Sequence, residues 1–128
     1  MAQGRNRNDP SQRQRRVGEL LRHAMAEIFL RTDISDPDLA GVTVTVTEVE
    51  VSPDLKNARV FVVPLGGTNQ EEVLAALGRN TKFLRGEMAR HISLKFTPTL
   101  TFELDATFDQ SDRVNALLHS GKVAQDLR

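Results

Sequence analysis

The sequence predicts an α+β domain in the order helix, strand, strand, helix, helix, strand, with a three-stranded sheet covered by helices on one face. Three observations lead there. Apolar residues recur at helical spacing in three separate segments, residues 42–62 alternate apolar and polar on both sides of a turn-forming run, and a further alternating segment follows Pro98. With 128 residues the chain fits one domain with a core of its own. The expected boundaries are an arm over residues 1–10, a folded domain over residues 11–108, and a C-terminal helix and tail over residues 109–128.

The arm (MAQGRNRNDP) has no hydrophobic periodicity and reads as disordered and basic. Ser11 followed by Gln14 is a capping box. Val17, Leu20, Leu21, Ala24 and Ile28 then fall on one stripe of a helix reaching about Leu30, with Arg15 and Arg22 opposite. Thr32 to Gly41 (TDISDPDLAG) is a loop by its Asp, Ser, Pro and Gly content. It is a poor calcium loop, because the Gly and Glu that an EF-hand needs at its sixth and twelfth positions fall on Asp38 and Val44 when counted from Asp33.

Val42 to Val51 alternates like a strand, but Val42, Val44 and Val46 are in one phase and Val49 and Val51 in the other. A bulge near Thr47 and Glu48 brings all five onto one face. Ser52 to Asn57 (SPDLKN) is turn chemistry, and Ala58 to Pro64 is the return strand of an antiparallel hairpin, with Ala58, Val60 and Val62 inward. Thr68 with Glu71 reads as a second capping box, opening a short helix through Leu77 that Gly78 ends or bends. The next helix covers Thr81 to His91, with Leu84, Met88 and Ile92 on one side. Pro98 stops any helix, and Leu100, Phe102 and Leu104 mark the last strand. Asp109 caps a final short helix containing Val114, Leu117 and Leu118, closed by Gly121.

Charge is balanced in total, 17 basic against 17 acidic residues, but sorted along the chain. Met1 to Arg31 holds seven Arg against three acids, and Gly78 to Pro98 five Lys or Arg against one. Thr32 to Leu77 holds two basic residues against eight acids, and Thr99 to Arg128 three against five. A fold that joins the two positive blocks has a basic face and an acidic back, the footprint of a phosphate-binding surface. Cysteine is absent and His23, His91 and His119 stand apart, so no disulfide, thiolate or metal site and no cofactor are expected. There is no signal-like apolar run and no stretch long enough to span a membrane, which suits a soluble cytoplasmic protein.

The runs VTEVEVSPDLKNARVFV (Val46 to Val62), KFLRGEMARH (Lys82 to His91) and PTLTFELD (Pro98 to Asp105), in this order and spacing, resemble the ribosome-binding factor A family of bacteria. The resemblance covers about Ser11 to Leu118. It implies a single-domain variant of the type II KH fold. It also implies a maturation factor, not an enzyme, that binds 16S ribosomal RNA of the free immature small ribosomal subunit, assists late folding or processing of that RNA, and supports growth in the cold. Neither DNA nor a membrane is an implied partner, and a monomer is expected. The family's kink between its second and third helices, where an alanine, any residue and a glycine replace the usual Gly-x-x-Gly loop, falls on Asn80, Thr81 and Lys82. Here the chain departs from the pattern: Asn80 and the nearby Gly78 still permit a bend, while Lys82 adds a charge where the family has glycine.

No Gly-x-x-Gly occurs in the chain, so a clamp on four nucleotides is not expected. The candidate RNA-binding residues are Arg79, Asn80, Thr81, Lys82, Arg85 and Arg90 around the kink, extended by Arg13, Arg15, Arg16 and Arg22 on the first helix. Phe61 is expected to cover the open sheet. Glu48, Glu50 and Asp54 read as an acidic rim of ordinary pKa, and His91 as a charge at a helix C-terminus. Two rival readings are a small open-sheet enzyme of acylphosphatase type, with Gly66 and Gly67 as its anion loop, and a protein-only adaptor working through the acidic back.

Overall fold

The computed structural model describes residues 9–66 and 69–106. All but the end of the expected arm, Thr68, and the expected C-terminal helix from Asp109 lie outside them. Helix α1 spans Gln12–Arg31. The Ser11 hydroxyl accepts the Gln14 N–H at 3.0 Å, while the Gln14 side chain accepts the Ser11 N–H at 2.8 Å. That same Gln14 amide donates to the Val51 carbonyl at 2.7 Å, so the cap also fastens the helix to the sheet.

The face α1 buries is Gly18, Leu21, Ala24, Met25 and Ile28; Leu20, expected inward, is 44% exposed. Gly18 explains the rotation. A Cβ there would meet the Val49 carbonyl oxygen at 2.6 Å, so only glycine lets the helix come this close to the strand beneath. The contact line then runs through residues 18, 21, 25 and 28, and Leu20, about 200° around the helix from Gly18, faces out.

Strands β1 (Thr43–Val51) and β2 (Asn57–Leu65) form the antiparallel hairpin, and β3 (Thr99–Leu104) pairs parallel to β2, giving the order β1-β2-β3. The register steps from Val46 opposite Val62 to Glu48 opposite Phe61, leaving Thr47 as the extra residue of a bulge. As the Val phases predict, Val46, Val49 and Val51 are all buried, and Val42 and Val44 pack against the same core.

Between the hairpin and β3 lie α2 (Gln70–Arg79) and α3 (Thr81–His91). The cap of α2 is Asn69 and not Thr68: its side-chain oxygen accepts from the N–H groups of Glu71 and Glu72 at 2.9 and 3.2 Å. Gly78 lies inside α2, with open space around it, and the bend comes two residues later. Leu21, Met25, Ile28, Leu77, Leu84 and Met88 are fully buried between the helices and the sheet. Each contributes on the order of 2 kcal/mol by leaving water.

Candidate nucleic-acid interface

The bend between α2 and α3 is a single residue, Asn80, with φ −101° and ψ 15°. Its N–H still reaches back to the Ala76 and Leu77 carbonyls at 3.1 and 3.2 Å. Its side-chain amide donates to the Ala76 carbonyl at 2.8 Å and to the Asp36 carboxylate at 2.9 Å. The Thr81 hydroxyl lies 2.8 Å from the Gly78 carbonyl and 3.2 Å from that of Leu77, occupying further acceptors at the end of α2. No residue of the bend has a positive φ, so the backbone has no need of glycine at Lys82.

Arg79 is clasped from the loop between α1 and β1. A single 3-10 turn, Pro37–Leu39, is capped by Asp36, which accepts the Asp38 N–H at 3.0 Å. Arg79 reaches both Asp36 oxygens, at 3.0 and 3.1 Å, and Asp38 at 3.0 Å. The Arg79 hydrogen bond, followed by the Asp38 N–H, holds the Asp36 carboxyl below the usual aspartate range, and the two carboxylates push the Arg79 guanidinium up. The sequence places Asp36 and Asp38 in a loop and gives them no further role. Two acids around a proline are an ordinary turn signal, and only the fold brings them to Arg79.

The other predicted cations divide in two. Arg85 donates to the Thr97 and Pro98 carbonyls at 2.7 and 2.9 Å, bracing the chain into β3. Arg90 pairs with Glu87 and Arg22 with Glu19, one turn away in each case. The Glu19 carboxyl is lowered chiefly by its hydrogen bond to Arg22. Arg13, Arg15, Arg16 and Lys82 are exposed and have no acidic partner among the described residues. They stand near the starts of α1 and α3, and the two helices touch one another on the covered face of the sheet.

Both starts are electrostatically unusual. Neither helix has an acid in its first turn, although the positive end of the helix dipole favours one. Asn80, the N-cap of α3, makes no side-chain capping bond, because its amide is committed to Ala76 and Asp36. Unpaired cations beside a helix N-terminus lacking a side-chain cap are well placed to take phosphates. Arg15 and Arg22 also line an open cleft of about 700 Å³ between α1 and β1, whose opposite wall carries Glu48 and Glu50.

The open face of the sheet is built differently. Arg59, in the central strand, donates to Glu103 on β3 at 2.9 Å and to Glu50 on β1 at 3.3 Å, and its guanidinium lies 5.2 Å from the centre of the Phe61 ring. Phe61 thus covers the sheet as expected, under a cation. The rim is not of ordinary pKa throughout. Loss of hydration, then repulsion from Glu50 and Asp105, raises the Glu48 carboxyl, whereas the Ser52 hydroxyl and the Lys56 N–H lower Asp54. Thr47, the bulge residue, places its hydroxyl 2.5 Å from the Asp105 carboxylate. His91 stays in the last turn of α3, with Nδ1 3.0 Å from the Glu87 carbonyl.

Comparison with known proteins places this architecture. The family model for ribosome-binding factor A matches residues 13–118. The chain belongs to the ribosome-binding factor A family. It is 57% identical over 118 residues to ribosome-binding factor A of Methylocella silvestris, covering 92% of this chain and 76% of the relative. The Phenylobacterium zucineum protein is also 57% identical over 118 residues, covering 92% and 81%. Among solved structures, ribosome-binding factor A from Thermus thermophilus matches with a TM-score of 0.60 at 27% identity, over 71% of this chain and 94% of that one. A model of the same Thermus protein, fitted into a cryo-EM map of a 30S–RbfA complex, matches with a TM-score of 0.55 at 29% identity, over 67% and 88%. The fold is the KH-like α+β arrangement of the family, and in this chain the bend between α2 and α3 falls on Asn80.

Proposed function

We propose that this chain binds the immature small ribosomal subunit through 16S ribosomal RNA and assists late folding or processing of that RNA. The observation that carries this reading is the set of exposed cations at the starts of α1 and α3 with no acidic partner among the described residues, on a chain of the ribosome-binding factor A family. The relative fitted into a 30S complex supports the same partner. In this reading Arg13, Arg15, Arg16 and Lys82 take phosphates directly, while Arg22 and Arg90 join by exchanging a surface acid for RNA. Arg79, Asn80, Thr81 and Arg85 shape the surface and contribute at its edge.

The protein acts as a monomeric cytoplasmic binding factor that biases RNA conformation, not as a catalyst, and its loss is felt most in the cold. An acylphosphatase-like anion loop is disfavoured by Gly66. That residue has φ +89°, and a Cβ there would lie 3.0 Å from the Gly41 carbonyl, so turn geometry and loop contact account for the glycine. No helix among the described residues is long and apolar enough to cross a membrane.

The test is co-sedimentation with purified immature small subunits across a salt series, alongside complementation of a deletion strain at low temperature. Four phosphate contacts give a slope of log affinity against log salt of about −3. A flat response overturns the phosphate surface.

A further inference from the structure

Six phenylalanines are present, with no Trp or Tyr. Phe29 and Phe102 meet edge to face in the core, with ring centres 6.5 Å apart. Phe61 lies under Arg59, and Phe96 lies with the Lys56 ammonium 5.7 Å from its ring centre. Phe108 is outside the described residues. Phe83 is the exception among those described: the residue is 41% exposed, its ring packs with no other ring or cation, and it is not among the hydrophobic residues of the core or those packed against it.

The helix itself puts Phe83 there. Leu84 and Met88 are fully buried and fix the rotation of α3, and Phe83, one residue back, is turned about 100° from that buried line. It follows Lys82 in the first turn, where Asn80 supplies no side-chain cap. One turn further along the same side is Gly86, where an added Cβ would meet nothing within 4 Å. Packing within the chain does not require glycine there. Its effect is to leave the helix surface beside the ring flat.

We infer that Phe83 is a stacking platform for an unpaired RNA base, with Lys82 and the N–H groups at the start of α3 taking the phosphate beside it and Gly86 leaving room for the nucleoside. The inference rests on the proposed RNA surface and adds a means of recognising single-stranded bases, which phosphate contacts alone do not provide. An RNA partner fits better than an apolar protein surface because the residue before the ring, Lys82, is an exposed cation with no acidic partner among the described residues, and the acid one turn along, Glu87, is paired with Arg90. Stacking of a base on an aromatic ring tolerates many sequences and persists at high salt, so its signature separates from that of the cations.

The experiment uses the full chain and a short unstructured RNA, paired with an RNA of the same length whose bases are removed. The parent should prefer the RNA with bases roughly tenfold. Phe83→Ala should lose that preference, with an unchanged salt slope and an unchanged Tm. Phe83→Leu should behave like Phe83→Ala, because the need is for a flat ring. Phe83→Trp should retain binding and, as the chain's only Trp, have its emission quenched by the RNA with bases and not by the other. Rescue by Phe83→Leu, or unquenched Trp emission, overturns the platform in favour of an apolar protein contact. Equal affinity of the parent for both RNAs also overturns it. Loss of RNA binding in Lys82→Glu and Arg15→Glu, with Phe83→Ala unaffected, leaves the phosphate surface standing and removes only the stacking. If none of these substitutions changes RNA or subunit binding, the surface itself is misplaced.

Discussion

The starts of α1 and α3 look alike in charge and differ in construction. Each has a cation at its second helical residue, Arg13 and Lys82, and no acid in its first turn. At α1 the Gln14 N–H is served by the chain's own capping box, in which the Ser11 hydroxyl accepts it. At α3 the capping side chain is turned away, because Asn80 is needed to close α2 and to hold Asp36. The first start therefore offers side-chain charge with one of its first-turn N–H groups already taken. The second offers charge with no first-turn N–H taken by a capping side chain, which makes it the better candidate for an ordered contact and α1 the better candidate for long-range attraction.

The largest effect that tests this comparison comes from moving α1 itself. Gly18→Val places a branched side chain against the Val49 carbonyl, where even a Cβ lies at 2.6 Å. The helix must shift, and the cost should be about 3 kcal/mol or more in denaturant unfolding. If the RNA surface depends on how α1 adjoins α3, the remaining folded protein should bind subunits poorly. Full stability of Gly18→Val would mean that the close approach of helix and strand is misjudged.

Charge reversal is next. Arg13→Glu and Lys82→Glu each remove a phosphate contact and add repulsion, so each should weaken subunit binding about tenfold at low salt and reduce the salt slope by about 0.7. Both place an acid where the helix dipole favours it, and each should raise stability by about 0.3–1 kcal/mol. Binding lost while Tm rises would identify the cations as kept for function. A weaker effect for Arg13→Glu than for Lys82→Glu fits the difference in construction, and the reverse order breaks it. Ser11→Ala sharpens the contrast from the other side: it should cost about 1 kcal/mol by uncapping α1 and leave binding nearly unchanged.

Much of the fold was legible because it is written in local periodicity. The phase slip of the Val residues puts a bulge near Thr47 and Glu48, where the register does step, and Ser11 and Gln14 announce the start of α1. What was illegible depends on distant partners. Leu20 lies within the width of an apolar stripe and is turned out only because Gly18 meets Val49. Thr68 and Asn69 are adjacent residues that can each cap a helix, and no local rule chooses between them. The candidate site divides in the same way. Its cations are visible in the sequence, but which are spent on Asp36, Asp38, Glu19, Glu87 or the Thr97 and Pro98 carbonyls is a property of the fold. Glu48 looked ordinary because its neighbours along the strand do not show its loss of hydration or its approach to Asp105.

The smallest effect probes the clasp that commits Asn80. Asp36 has its carboxyl held below its ordinary value of 3.8, chiefly by Arg79. The unfolded chain takes up the proton near 3.8 and the folded chain resists it, so the stabilisation is fully present above that value and is lost as the pH falls through the lower, folded value. Asp36→Asn removes the titrating group while keeping its shape. The Tm difference between parent and Asp36→Asn should therefore be small and constant from about pH 5 to 7, and should shrink toward zero as the pH is lowered below about 4. Other lowered carboxyls, Glu19, Asp54 and Glu103, titrate in both proteins and cancel in the difference. A difference that stays constant down to about pH 3 would mean that Arg79 does not hold Asp36 in solution. Asn80 would then be free to turn and cap α3, and the two helix starts would be built alike after all.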